Sequence, residues 1–353
     1  MQKLLLIILL TPVLFCNAQK IRLSDNWYIK NSIEIKAEGN IISTSGFEQD
    51  KWYKTTIPST VLNVFVKNGT YPDPRIAMND FLIPDVSDEF NAKHDLAKYS
   101  YLKDKRNPWK DPYWYRTEVA LPKQYKGKQI WLTFNGINYR ADVWLNGHQI
   151  ADKQQMVGMF QRFRFNITQY AKAGEKNFLA VKIYQLDHPG LPSPGTQFEV
   201  FGKSRGSADE TFKDETMKMT GGWDCAPVVR DRNMGIYQDV FIEATGDVAI
   251  ENPYIVTTLP LPDTTQADIR IKAELRNTSN KEIKGILTGK IDLISDLVFP
   301  SYTKHLGGSM PSILVKKEVS LKANETKEIQ LSPEEFKALL VHNPYLWYPN
   351  GYG

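Results

Sequence analysis

The residues best suited to chemistry lie in the stretch GGWDCAPVVRDRNMGIYQDV, positions 221–240. Trp223 offers a flat apolar ring, and Asp224 beside it offers two acceptor oxygens. Such a pair suits a sugar, whose C–H face lies against an aromatic ring and whose hydroxyls donate to a carboxylate. Gly221-Gly222 lets the chain approach freely. The same residues also fit a turn aspartate beside a core tryptophan, and composition alone favours that plainer reading. Asp231 and Arg232 read as a structural ion pair or a turn brace. Cys225 has no evident base partner and does not read as a nucleophile.

No complete catalytic set is visible elsewhere. There is no Gly-x-Ser-x-Gly elbow, no His-Glu-x-x-His, no phosphate loop and no Cys/His metal spacing, so no metal and no cofactor is implied. The five histidines, at 94, 148, 188, 305 and 342, are scattered. Lys and Arg total 44 against 40 Asp and Glu, a net charge of +4, which gives little electrostatic case for nucleic acid. Charged residues at 24% and hydrophobic residues at 42% exclude a mainly disordered, collagen-like or polytopic membrane chain. Aromatic residues make up 12%, a share that favours strands and sugar-facing or partner-facing surfaces.

The elements that must position these residues are mostly strands. Ile130-Trp131-Leu132-Thr133-Phe134 reads as a buried strand. Residues 139–145 and 148–150 flank Asn146-Gly147, a hairpin signal because both turn residues tolerate positive φ. Residues 161–168 alternate, with Phe163, Phe165 and Ile167 facing opposite to Arg162, Arg164 and Asn166. Residues 177–184 and 236–244 add two more strands. Trp144 must face opposite to Val143 and Leu145, so one set is exposed or packed under another part of the protein, and packing is the expectation. Helical signals are few: one over residues 87–103, and a brief helix opened by Ser332 as N-cap with Pro333 in its first turn.

A boundary near Thr245-Gly246-Asp247 divides a first domain, 19–246, from a second, 247–353. In the second, residues 267–277, 283–294, 312–321 and 326–331 are strand candidates. About five short strands in roughly 100 residues suit an immunoglobulin-like sandwich that lacks its last strands, so the chain reads as truncated, with an unpaired edge. Residues 1–18 read as a secretory signal: Lys3, an apolar run over 4–10 continued by Val13, Leu14 and Phe15, and small residues at 16 and 18 before a cleavage point. The run is short for a membrane span, so export to the periplasm or beyond is expected. A lipid anchor on Cys16 is the competing reading, disfavoured by the bulk of Phe15 before it. Cleavage removes Lys3 and Cys16 and leaves Cys225 as the only cysteine, so no internal disulfide forms.

Several segments, in order, resemble glycoside hydrolase family 2 in its β-mannosidase and exo-β-glucosaminidase branch. Residues 221–240 resemble its Trp-Asp-Trp region. Tyr71-Pro-Asp-Pro-Arg with Asn79-Asp80 resembles its Pro-Asp-Pro loop, and Pro112-Tyr-Trp-Tyr-Arg-Thr-Glu118 its first core strand. Phe134-Asn-Gly-Ile-Asn-Tyr-Arg-Ala-Asp-Val-Trp-Leu-Asn-Gly147 resembles the signature of its sugar-binding domain, and Leu346-Trp-Tyr-Pro-Asn-Gly-Tyr-Gly353 the end of its immunoglobulin-like domain. The resemblance implies an all-β chain: a jelly-roll, galactose-binding-like sandwich, then an incomplete immunoglobulin-like sandwich. It also implies a catalytic (β/α)8 barrel beyond Gly353, where two Glu stand about 5–5.5 Å apart and hydrolyse β-glycosides with retention. The chain then has no catalytic residue of its own and is expected to be inactive alone, docking on the missing barrel. By the same resemblance Asp224, flanked by Trp223, reaches into the sugar pocket. Asn79 and Asp80 either approach its rim or brace a loop. Cys225 stands where a second Trp is common, which changes the pocket's shape near Asp224.

Two readings follow. One is the N-terminal, non-catalytic portion of an exported retaining β-glycosidase acting on β-mannosides or β-linked glucosamine. The other is a secreted, non-catalytic carbohydrate-binding protein. A cell-surface adhesin would also stack sandwiches, but should lack the Trp223-Asp224 segment. The expected partner is a β-linked oligosaccharide or glycoside, with no nucleic acid and no membrane span.

Overall fold

The computed structural model describes residues 19–76, 79–84, 88, 106–187, 214, 232–292, 312–344 and 346. The chain divides into two compact units, Met1–Ala244 and Thr245–Gly353. Among the described residues no helix is long and apolar enough to cross a membrane. They form sandwiches of antiparallel strands and contain no (β/α)8 barrel.

The first unit holds β1 (Gln19–Arg22), β2 (Trp27–Asn31), β3 (Tyr53–Thr55), β4 (Ser59–Thr60), β5 (Tyr113–Ala120) and β6 (Gln129–Phe134). It continues with β7 (Arg140–Leu145), β8 (His148–Ala151), β9 (Phe163–Asn166), β10 (Lys176–Tyr184), β11 (Gly235–Ile236) and β12 (Val240–Thr245). Two helices, α1 (Gly39–Ile42) and α2 (Val61–Lys67), cross between strands. One sheet has the order β1-β12-β6-β9, the other β3-β2-β5-β10-β7-β8, and β11 pairs with β4. This is the jelly-roll, galactose-binding-like sandwich.

Alternation sets what each strand buries. Along β6, Ile130, Leu132 and Phe134 enter the main core, while Trp131 turns outward under the Arg164 guanidinium, 4.0 Å from its ring. Along β5, Tyr113, Tyr115 and Val119 face the same core, and Trp114 faces away from it. The hairpin between β7 and β8 forms at Asn146-Gly147, with φ of +52° and +89°. Asn146 is fully engaged there: its Nδ2 donates to Tyr170 O and Asn177 Oδ1, both at 2.8 Å, and its Oδ1 accepts from Phe178 N at 2.9 Å. It is scaffold.

Trp144 packs on the outer face, opposite to Val143 and Leu145 in the core. Its neighbours there are Trp114, with centroids 5.3 Å apart, and Ile42, Trp52 and Phe47 in the same cluster. Segment 32–49 of the same unit supplies this cover. A Cβ on Gly39 would stand 2.1 Å from Trp144 Cδ2, so only glycine lets α1 lie against the indole. Arg116 fastens the cover: buried, it donates from Nε to Ile42 O at 2.9 Å, from Nη2 to Thr44 O at 3.0 Å, and from Nη1 to Gln49 Oε1. Burial lowers its pKa, and Glu118 opposes that shift.

The second unit holds β13 (Val248–Thr258), β14 (Gln266–Asn277), β15 (Ile283–Ile291), β16 (Ile313–Leu321), β17 (Thr326–Leu331) and β18 (Leu340–His342). β14 is central, pairing with β13 on one side and with β17 and β18 on the other, while β15 and β16 form a separate two-stranded sheet. Leu275, Leu321 and Ile329 form one core cluster, and Val315, Leu331 and Leu339 another. This is an immunoglobulin-like sandwich, with two strands of its second sheet among the described residues. The helix expected after Ser332 is corrected: one turn, with Phe336 N donating to Ser332 O at 2.8 Å, passes into a single 3-10 turn, Lys337–Leu339. The chain must extend at Leu340 to pair with Asp268 of β14, which leaves no room for a longer helix. The helix expected over 87–103 falls almost wholly outside the described residues.

Gly39→Ala drives a methyl into the Trp144 ring, and overpacking of this kind costs about 1–3 kcal/mol. Thermal unfolding should show a lowered Tm for Gly39→Ala and no change for Gly46→Ala, where nothing lies within 4 Å. Equal Tm values for the two would contradict the packing described.

Candidate functional site

One end of the six-stranded sheet gathers the loops of interest. The registers Asn31 with Tyr113, Ile183 with Tyr113 and Ile183 with Ala141 define it: β2 and β10 finish there, and β5 and β7 begin. Rigid strand ends therefore present the connecting loops.

The loop after α2 is held by aromatic packing. Tyr71 meets Phe65 edge-on at 5.9 Å and Trp109 at 5.9 Å, and Phe65 meets Tyr53 and Tyr113. Trp109 is buried and donates Nε1–H to Pro84 O at 2.5 Å. Asn107 Oδ1 accepts from Trp109 N at 2.9 Å and so caps the turn that starts at Pro108. Asp73 accepts from Arg75 at three points: backbone N at 3.0 Å, Nε at 3.0 Å and Nη2 at 2.7 Å. Those bonds, the side-chain ones foremost, pull the Asp73 carboxyl down to about 2. Asn79 donates from Nδ2 to Asp73 O at 3.1 Å and from its backbone N to Ile76 O at 3.1 Å. Of the two roles the sequence allows Asn79, the loop brace is the one its hydrogen bonds show. The backbone of Asp80 continues that turn, and its side chain lies outside the described residues.

The returning segment enters at the same end. Arg232 and Asn233 are buried; burial raises the Tyr71 phenol's pKa, and the charge of Arg232 opposes that rise in part. The guanidinium therefore lies within electrostatic reach of the Tyr71 loop. Asn233 O accepts from Asn138 Nδ2 at 3.1 Å, while both polar atoms of its own side chain are buried without a hydrogen-bond partner among the described residues. Gly235 exchanges two backbone bonds with Asn138, at 2.7 and 2.8 Å. A Cβ there would stand 2.7 Å from Ser59 O, so the close approach requires glycine.

Trp223, Asp224 and Cys225, like Asp231, lie outside the described residues. The residues the structure joins at this end are Tyr71, Asp73, Asn79, Trp109, Arg232 and Asn233. Trp109 carried a signal that sequence reading passed over: Asn107-Pro108 is a turn start with its own cap. Nothing in the residue type of Asn233 marks its unpartnered amide. Among the described residues no three His, Cys, Asp or Glu gather to hold a metal ion.

The depressed Asp73 pKa gives a direct test. A carboxylate whose folded pKa is lowered contributes stability above its unfolded pKa and loses that contribution as pH falls through the folded value. Carboxyl NMR should show Asp73 titrating near 2, and Arg75→Ala should return the midpoint toward 3.8. A midpoint unmoved by that substitution would contradict the bidentate contact.

Comparison with known proteins bears on the whole chain. Residues 94–238 match the family described as glycosyl hydrolase 2 galactose-binding domain-like. A mannosylglycoprotein endo-beta-mannosidase of Lilium longiflorum is 28% identical over 94% of this chain and 30% of its own length. An exo-beta-D-glucosaminidase of Streptomyces avermitilis is 25% identical over 92% of this chain and 28% of its own. The crystal structure of Amycolatopsis orientalis exo-chitosanase CsxA superposes with a TM-score of 0.65 at 24% identity, over 95% of this chain and 30% of that one, a likeness of fold. The chain spans about 30% of the length of these relatives. The chain is thus similar to the N-terminal part of these relatives, and its residues 94–238 match the galactose-binding-like domain of glycosyl hydrolase 2.

Proposed function

We propose that this chain forms the two N-terminal sandwiches of an exported, retaining β-glycosidase that acts on β-mannosides or β-linked glucosamine. The observation that carries the reading is the coverage. Nearly all of this chain aligns with enzymes named for those substrates, yet with less than a third of each. On this reading the acid/base and nucleophilic carboxylates lie outside these 353 residues, in a barrel on which the sandwiches dock. The chain then shapes a sugar site without cleaving the sugar.

Trp223 and Asp224 are the residues we assign to that pocket, the ring for the C–H face and the carboxylate for hydroxyls. Asn79 braces the loop that carries Asp80 toward the rim of that pocket. Support comes from Arg232, eight positions after Asp224, which returns to the end of the sandwich that carries the Tyr71 loop. Residues 1–18 direct export, with cleavage after Ala18.

The 353-residue chain alone should not hydrolyse an aryl β-mannoside or an aryl β-glucosaminide above the blank rate, and turnover on either would overturn the reading. In the enzyme that carries this chain intact, Asp224→Ala should lower kcat/KM by about 100-fold or more, the scale for losing a positioned polar contact in an active site. Its Tm should not change. Unaltered kcat/KM would remove Asp224 from the pocket.

A further inference from the structure

We propose that an open groove at the loop end of the first unit binds a neutral sugar, which it recognises by hydroxyls and not by charge. The groove has a volume of about 460 Å³ and is lined chiefly by Lys110, Pro112, Arg140, Lys153, Tyr184 and Gln185. That volume lies within the range of ligand clefts, about 300–1,000 Å³. Its walls come from the stretch leading into β5, the start of β7, the turn after β8 and the end of β10. The registers of β5, β10 and β7 therefore fix most of its shape.

The charges around the groove offset one another. Asp187 accepts from Arg140 Nε at 3.0 Å and also from Nη2, and Asp214 adds a second carboxylate that acts on the same guanidinium. Asp142 accepts from the Tyr184 hydroxyl at 2.6 Å and from Lys153 N at 2.6 Å. Burial foremost, then Asp142 and Glu38, raise the Tyr184 phenol's pKa, so both carboxylates act on this wall. The ammoniums of Lys153 and Lys182 stand 4.9 and 5.7 Å from the centroid of the same ring. Lys110 is engaged as well, and beside it Arg106 pairs with Asp111. Asp152, next to Lys153, accepts from the backbone N–H groups of Gln154 and Gln155. Asp142, Asp187, Asp214 and Glu38 thus stand against Arg140, Lys110, Lys153 and Lys182, with no marked excess of either sign. A charged sugar finds no spare counter-charge here and still gives up part of its hydration, which a neutral sugar does not.

The hydrogen-bonding groups point to hydroxyls. Gln185 Oε1 is buried with no hydrogen-bond partner among the described residues. An unpaired buried acceptor is costly, and the last torsion of a glutamine is soft, so the amide gains by turning Oε1 toward a donor in the groove. The Tyr184 hydroxyl gives its proton to Asp142, so any further bond it makes is as an acceptor. Lys153 is exposed and brings the donors of an ammonium, and Pro112 adds an apolar face. A sugar matches this set: hydroxyls that donate to Gln185 and Tyr184 and accept from Lys153, and a C–H face for Pro112.

Binding here needs neither hydrolysis nor Asp224, so its failure and that of the glycosidase reading are told apart. The 353-residue chain would be titrated by NMR with methyl β-glucoside, methyl β-mannoside, methyl β-glucuronide and methyl β-glucosaminide, at low and at physiological salt. At least one neutral glycoside should saturate, with shifts at Tyr184, Gln185 and the Lys153 turn. Its dissociation constant should not depend on salt, because no ion pair forms with the ligand. Neither the carboxylate nor the ammonium should improve on methyl β-glucoside by more than about threefold, short of the roughly tenfold gain of a charge-assisted contact. Gln185→Leu keeps the side chain's bulk and should weaken the neutral glycoside roughly five- to tenfold, the scale of one hydrogen bond. Its Tm should stay the same or rise, since an unpaired acceptor is removed. Gln185→Met takes its place if that variant does not fold. No saturation by either neutral glycoside, a charged sugar bound beyond the threefold margin, salt-dependent affinity for the neutral glycoside, or affinity untouched by the Gln185 substitution would overturn the proposal.

Discussion

β5 is covered on both faces, and the first unit is built around that constraint. Tyr113, Tyr115 and Val119 fill the space between the sheets, while Trp114 and Arg116 lie beneath segment 32–49. A guanidinium held away from water is costly unless its donors are satisfied. Here the acceptors are chiefly backbone carbonyls of the covering segment, so the cover cannot leave without stranding a charge. The glycine contact at Trp144 tightens the same arrangement from β7, on the far side of β10.

Rigidity in β5 reaches the loop end through sequence adjacency. Trp109 and Tyr113 flank the entry to the strand, and the Tyr71 loop packs on Trp109. The approach of Gly235 to Ser59 ties the returning segment to α2's own starting strand. A sugar pocket built partly from such loops inherits its geometry from strand registers. In the proposed enzyme, the sandwich's part in catalysis would be to hold groups in place, with bond breaking left to carboxylates elsewhere.

Much of this fold was legible in the sequence. Asn146-Gly147 between alternating runs named its hairpin, and alternation placed Trp144 opposite to Val143 and Leu145. Two elements escaped for physical reasons. β13 bends at Asn252-Pro253, where the register shifts between Glu251 and Tyr254, so its period-two pattern breaks midway. α2 has a Thr60 cap and buries Val61, Leu62, Val64 and Phe65 at helical spacing, but its β-branched residues resemble a strand. The expected helix after Ser332 shows the reverse: local capping chemistry is present, and the pairing of β18 overrides it. Of the candidate site, the sequence carried the residue types and the Tyr71 loop. Which loops meet at this end depends on long-range register that no local pattern encodes.

The clasp of Arg116 also bears on how the protein breathes. Amide groups along β5 and β10 lie between two packed layers and are expected to exchange with deuterium mainly when the whole sandwich opens. Among the described residues each strand of the β15–β16 pair bonds only to the other and carries many outward side chains, so its amides are expected to exchange through small, frequent excursions. The slowest protons in the molecule therefore report on a single cooperative body, the one that frames the loop end.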